Sequence, residues 1–124
     1  MGIEVLVGKT LKSVEVKGNN EIIFVDTNDT TYRLYGPNED VTIEDICGNL
    51  VNLVNTEIVV AREDKYPDIP DMGPKDNWEW SYTWVFYNFR THKGDVSIRW
   101  YGWSEGFYSE TAEFEISFKG KSNG

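Results

Sequence analysis

Cysteine and histidine are almost absent from this chain: its 124 residues include one of each, Cys47 and His92. A lone cysteine forms no internal disulfide and suits a reducing compartment. There is no second histidine or cysteine for a zinc site, and with His92 in a predicted hairpin turn no nucleophile–histidine–acid constellation can be argued. No catalytic residue, metal ligand or cofactor is therefore assigned. The acidic clusters "NED" and "IEDI" lack the spacing of a calcium loop, and "GKT" at 8–10 lacks the upstream glycine of a phosphate loop. No run approaches the ~20 apolar residues of a membrane span. The opening "MGIEVLVGKT" has no basic region or small-residue cleavage site. It also lacks the serine or threonine that N-terminal lipidation needs, so a cytoplasmic protein is expected. Basic residues are scarce too: 12 Lys and Arg against 21 Asp and Glu, a formal net charge of −9. Such a surface repels duplex DNA, long RNA and anionic membranes. It leaves room for a small anion only where a few cations gather.

What is present reads as one domain, residues 1–124, of α+β class: mainly antiparallel β-sheet with one or two short helices. Residues 9–35 alternate as three strands, broken by turns at Gly18-Asn19-Asn20 and "TNDT". Over 43–54, Ile43, Ile46, Leu50, Leu53 and Val54 recur at helical spacing behind a Thr42 cap. A break at Gly48 divides them, which predicts two short helices. Cys47, inside that pattern, is expected to be a buried structural thiol. "TEIVVAREDKY" (56–66) reads as a strand and the proline-rich "YPDIPDMGPKDN" as a surface loop. A C-terminal antiparallel sheet follows over 78–118.

That last region holds all five tryptophans, from Trp78 to Trp103. Trp78, Trp80, Tyr82, Trp84 and Phe86 alternate at period two, the mark of a long strand. "THKG" (91–94) turns the chain and "DVSIRWYGW" runs back. Setting Arg90 opposite Asp95 pairs Val85 with Trp100, Tyr87 with Ile98 and Phe89 with Val96 on an apolar face, expected to pack on the helices. Phe86 then faces Arg99, and Trp84 faces Tyr101, on the other side. A slip of one residue scrambles both faces. A third strand carrying Ala112, Phe114, Ile116 and Phe118 is expected to return beside the second, with Ile98 next to Ala112. That pairing would bring Ser109, Thr111 and Glu113 to Tyr101 and Arg99.

One face thus carries Trp80, Tyr82, Trp84, Phe86, Tyr101 and Trp103, with Arg99, Asn88 and Ser109 among them. So much ring surface needs a cover, either another copy of the chain or a flat ligand. In the first reading the face is an oligomer interface or second core layer, and Arg99 pairs with Glu110 or Glu113. In the second it is a nucleotide pocket. Rings stack on a purine at ~1–3 kcal/mol per base, Arg99 offers a two-pronged donor to phosphate, and Asn88 and Ser109 read base or ribose edges. The two readings coexist if the pocket sits at a subunit boundary.

The segments "IEDICGNL" (43–50), "TWVFYNF" (83–89), "THKG" (91–94) and "VSIRWYGWSEGFYSE" (96–110), with "GKTLKSVEV" and "EIIF" before them, resemble the first type of phage-encoded Thoeris anti-defence sponge over most of the chain. The resemblance implies a non-enzymatic protein in the host bacterial cytosol. It would bind cyclic ADP-ribose isomers made by TIR-domain proteins, glycocyclic ADP-ribose among them, and hold them intact, so that the Thoeris effector is never activated. It also implies, for some members, cyclic trinucleotides at a separate site, and homodimers or higher homo-oligomers with pockets between subunits. The matching residues are Ile98, Arg99, Trp100, Tyr101, Gly102, Ser104, Gly106, Tyr108 and Ser109. Trp103 stands where a polar residue is usual, and Phe107 where tyrosine is expected. Ligand binding is accordingly assigned to Phe86, Asn88, Arg99, Tyr101, Tyr108 and Ser109, with Arg90, Lys93 or Arg62 as candidate helpers for a pyrophosphate. The alternative is an acidic inhibitor that blocks a host defence enzyme through its aromatic face. Hydrolysis of the signal has no catalytic set to support it.

Overall fold

Two four-stranded antiparallel sheets face each other across one core in a computed structural model of the chain, which describes residues 2–67, 81–104 and 110–117. β1 (Leu11–Lys17), β2 (Glu21–Asp26) and β3 (Thr31–Tyr35) form the meander that the alternation predicts, and β8 (Glu113–Ser117) completes the first sheet in the order β1-β2-β3-β8. The second sheet runs β4-β7-β6-β5, built from β4 (Val41–Cys47), β5 (Ile58–Pro67), β6 (Ser81–Thr91) and β7 (Gly94–Ser104). Among the described residues the helical pieces are two 3-10 turns, Ile3–Leu6 and Leu50–Leu53. The expected architecture, mainly antiparallel sheet with one or two short helices, is the one adopted.

The inward faces supply Ile22, Phe24, Tyr32 and Leu34 from the first sheet and Val85, Tyr87, Phe89, Ile98 and Trp100 from the second, all buried. Phe24 and Phe89 meet across the sandwich with ring centroids 6.0 Å apart. Each such side chain stabilises by about 1.5–3 kcal/mol through removal from water. Leu6 and Leu53 join the same core from the two 3-10 turns. Asp26, buried at the end of β2, accepts hydrogen bonds from the backbone N–H groups of Asn28 (2.8 Å) and Thr30 (2.9 Å) and from the Tyr32 hydroxyl (2.8 Å). Those three donors satisfy the buried carboxylate and hold the β2–β3 turn.

The β6–β7 register is the predicted one along its whole length: Phe86 pairs with Arg99, Trp84 with Tyr101, Val85 with Trp100 and Arg90 with Asp95. Three expectations are overturned. The first predicted helix is the strand β4. A bulge lies between Ile43 and Asp45, so Ile43 opposes Trp100 and Ile46 opposes Ile98. The extra residue lets two isoleucines three apart point the same way, which imitates helical spacing, while Val41, Thr42, Ile43 and Ile46 are β-branched and favour a strand. Next, the apolar face of β6 and β7 packs on the first sheet, not on helices. Finally, β8 pairs with β3, not β7: Leu34 opposes Phe114 and Tyr32 opposes Ile116. The free edge of β7 is taken by β4, and Phe114 instead stacks on Tyr32 at 6.0 Å. Period-two alternation suits either sheet, so it cannot choose between them.

Candidate ligand-binding face

The registers of the second sheet place its outward side chains in rows across the strands. Val60, Arg90 and Asp95 form a row at the hairpin end, and Arg62, Asn88, Ser97 and Cys47 form the next. Asp64, Phe86, Arg99 and Asp45 follow, then Tyr66, Trp84, Tyr101 and Thr42. One face therefore has a polar half and an aromatic half, with Asn88 and Arg99 at the join.

In the aromatic half the Arg99 guanidinium lies over the Trp84 ring, 5.0 Å from its centroid. Trp84 tilts against Tyr101 at 4.7 Å, and Tyr66 meets Phe86 edge-on at 5.5 Å. Trp84 is only 8% exposed although it points away from the core. Its Nε1 and the Nε of Arg99 are both buried with no hydrogen-bond partner. Burying a donor without an acceptor costs about 1–3 kcal/mol, so these two adjacent N–H groups are a polar debt on this face.

In the polar half, Asp64 Oδ2 accepts from Arg62 Nε (3.0 Å) and from Asn88 Nδ2 (3.1 Å), and Asn88 Oδ1 accepts from the Ser97 hydroxyl (2.7 Å). This chain runs over three strands and fixes the orientation of the Asn88 amide. Arg90 pairs with Asp95 through Nε (3.0 Å) and Nη2 (3.4 Å); those hydrogen bonds, then the carboxylate charge, raise the Arg90 pKa. Above these two rows opens a cavity of about 470 Å³, lined by Cys47, Gly48, Val60, Arg62, Asn88, Phe89, Arg90, Asp95, Val96 and Ser97. Gly48 closes one wall. Its φ is +97°, and a Cβ there would lie 2.4 Å from the Asp95 carbonyl oxygen. At the opposite end of β7, Gly102 admits a close crossing: a Cβ would lie 1.8 Å from the Glu110 carbonyl oxygen. The Thr83 hydroxyl donates to the Glu110 carboxylate there at 2.8 Å.

The sequence-assigned residues Phe86, Asn88, Arg99 and Tyr101 come together on this face. Tyr108 and Ser109 lie outside the described residues, as do Trp78 and Trp80. Glu113 is not near Arg99; it accepts from the Tyr35 hydroxyl at 3.3 Å on the first sheet. Cys47, expected to be buried, is exposed, because the strand puts it on the outward row beside Ser97. Of the suggested cations, Arg62 and Arg90 line the cavity, whereas Lys93 donates to the Val54 carbonyl at 2.7 Å. Asp64 and Tyr66 escaped the sequence reading. The even-numbered residues of 60–66 do point one way, but the long link to β6 supplies no turn to set the register. Among the described residues, no helix is long and apolar enough to cross a membrane, and no group of three or more His, Cys, Asp or Glu is placed to hold a metal ion.

The class defined by this geometry is a two-sheet β domain with one ring-lined, cation-bearing outer face. Residues 4–114 match the family described as Domain of unknown function (DUF7448), and the chain belongs to it. No curated protein and no solved structure matches the chain.

Proposed function

We propose that this protein binds and sequesters a cyclic ADP-ribose-type nucleotide, of the glycocyclic ADP-ribose kind, and acts as a phage anti-defence sponge in the cytosol of an infected bacterium. The observation that carries the reading is Arg99: a guanidinium flanked by Phe86 and Trp84, with its Nε buried and unpartnered. An acceptor oxygen on a ligand would satisfy that donor, and the neighbouring rings would stack on a purine. Tight capture needs rings and anion donors, not a tuned acid–base pair. Assembly into a homodimer or larger homo-oligomer belongs to the same proposal.

The test is equilibrium capture. The protein is mixed with a cyclic ADP-ribose isomer, removed by ultrafiltration, and then heat-denatured. Depletion of the filtrate followed by return of the unchanged nucleotide is expected. Recovery of a cleaved product would make the protein an enzyme and overturn the reading. No depletion of any isomer would favour the alternative, an inhibitor that docks on a host protein through the aromatic face.

A further inference from the structure

The cavity at the hairpin end lies away from Arg99, the main phosphate donor of the sequence reading, and is lined by two of the three cations named there only as helpers, Arg62 and Arg90; its chemistry differs from that of the aromatic half. We infer that it is the seat of a diphosphate group, held by Arg62 and Arg90 over the hydrogen-bonded floor of Asn88 and Ser97. This deepens the nucleotide reading and rests on it for the identity of the whole ligand, but the seat itself is tested without a nucleotide.

Charge is the first argument. The lining carries two arginines against one aspartate, Asp95; Asp64, bonded to Arg62 beside the lining, balances the second, so the seat is locally neutral within a chain of net charge −9. Donor supply is the second. Arg62 meets Asp64 through Nε alone, and Arg90 meets Asp95 through Nε and Nη2. Both terminal nitrogens of Arg62 and the Nη1 of Arg90 have no partner among the described residues. Their carboxylate partners are held in exposed pairs, with 66% of the Arg62 side chain and 63% of the Arg90 side chain accessible. Exposed pairs of this kind hold weakly, so a doubly charged oxyanion can share or displace them at little cost. Size is the third: about 470 Å³ falls in the range of small-ligand sites and exceeds the needs of a single phosphate. Placement is the fourth. The Arg62–Asn88–Ser97 row lies two residues along the strand from Phe86 and Arg99, about 7 Å, a gap that a ribose unit can span. A base on the rings and a diphosphate in the cavity would then belong to one molecule.

The probe is inorganic pyrophosphate, titrated calorimetrically into the whole protein without divalent metal, beside orthophosphate. Pyrophosphate should bind at least tenfold more tightly than orthophosphate. Arg62→Ala should weaken it about tenfold, and the Arg62→Ala/Arg90→Ala double variant should abolish it. Arg33→Ala, which makes the same change in net charge on the other sheet, should leave it unchanged. Cys47 gives a second readout: it is the only cysteine, exposed, and part of the lining. Its reaction with an uncharged maleimide should slow when pyrophosphate is present. Equal loss in Arg33→Ala, undiminished binding in the double variant, or no binding at millimolar pyrophosphate would each overturn the seat. If pyrophosphate binds as described but no cyclic nucleotide is captured, the seat stands and the sponge reading falls. If the nucleotide is captured equally well by the double variant, the seat falls and the sponge reading stands.

Discussion

On the outer face of the first sheet, Arg33 lies between Glu21 and Glu115, bonded to both, with its guanidinium 3.8 Å from the centroid of the Tyr35 ring. On the outer face of the second, Arg99 also lies over a ring, that of Trp84, but its Nε is buried and meets no acceptor. Both are arginines at the middle of a strand in a four-stranded sheet, and both touch an aromatic residue. They differ in whether the charge is answered locally. The hydrogen bonds that Arg33 donates to Glu21 and, with smaller effect, to Glu115 raise its pKa, and that face is complete in water. The Arg99 face leaves donors that only something outside the described residues can satisfy. The two outer faces therefore differ less in aromatic content than in an unmet polar requirement among the rings, and it is on that difference that the binding proposal rests.

The largest expected effect lies in the first sheet and should leave the second untouched. Asp26→Ala strands two backbone N–H groups and the Tyr32 hydroxyl. A loss of about 3 kcal/mol is expected, read as a lower urea midpoint at unchanged m-value. Nucleotide capture per folded molecule should not change. A large fall in capture would mean that the two outer faces are coupled through the core and cannot be compared as independent surfaces.

Alkaline pH probes one buried tyrosine in each sheet. Burial, then the hydrogen bond to Asp26, raises the Tyr32 pKa; burial, then the charge of Glu63, whose carboxylate accepts from the Tyr87 hydroxyl at 2.8 Å, raises that of Tyr87. A raised folded-state pKa favours the protonated ring in the native state. That stability is complete below the unfolded value of about 10 and is lost as pH rises toward the folded values, at about 1.4 kcal/mol per pH unit for each tyrosine. Urea unfolding at pH 9 and pH 11 should show the decline, and Tyr32→Phe or Tyr87→Phe should each remove about half of the slope. Equal stability at the two pH values would contradict it.

Much of this comparison was legible in the residues. The alternation of Val85, Tyr87 and Phe89 against Trp84, Phe86 and Asn88, closed by a short turn, determines the β6–β7 register and hence which rings surround Arg99. Two kinds of information were not local. The bulge in β4 disguised a strand as a helix and hid the exposed position of Cys47. The partner of β8 depends on which sheet edge is vacant, a property of the whole fold. The polar half of the face combined both difficulties, because Arg62 and Asp64 reach it from β5, whose register no short turn sets.

The third prediction separates stability from function at Arg99. Arg99→Met keeps the aliphatic stem and removes the buried donor. It loses a cation–π contact of about 0.5–1 kcal/mol and recovers a burial penalty of about 1–3 kcal/mol. A net gain in stability of about 1 kcal/mol is expected, together with at least a tenfold fall in nucleotide capture. A variant that was less stable yet captured normally would show Arg99 to be a structural residue like Arg33.

The smallest effect is expected at Arg33, and its salt dependence is what makes the comparison quantitative. Its side chain is 38% exposed and its glutamate partners are 25% and 51% exposed, so Arg33→Ala should cost about 0.5–1 kcal/mol at low ionic strength. At 1 M salt, where screening acts within about 3 Å, most of that cost should vanish. The gain from Arg99→Met should persist at the same salt, because it comes from taking a buried group out of an apolar environment rather than from breaking an exposed pair. Measuring both variants at 0.05 M and 1 M salt therefore distinguishes the faces without any ligand. If both responses fade together, Arg99 is as solvated as Arg33, and its missing partner says nothing about what binds there.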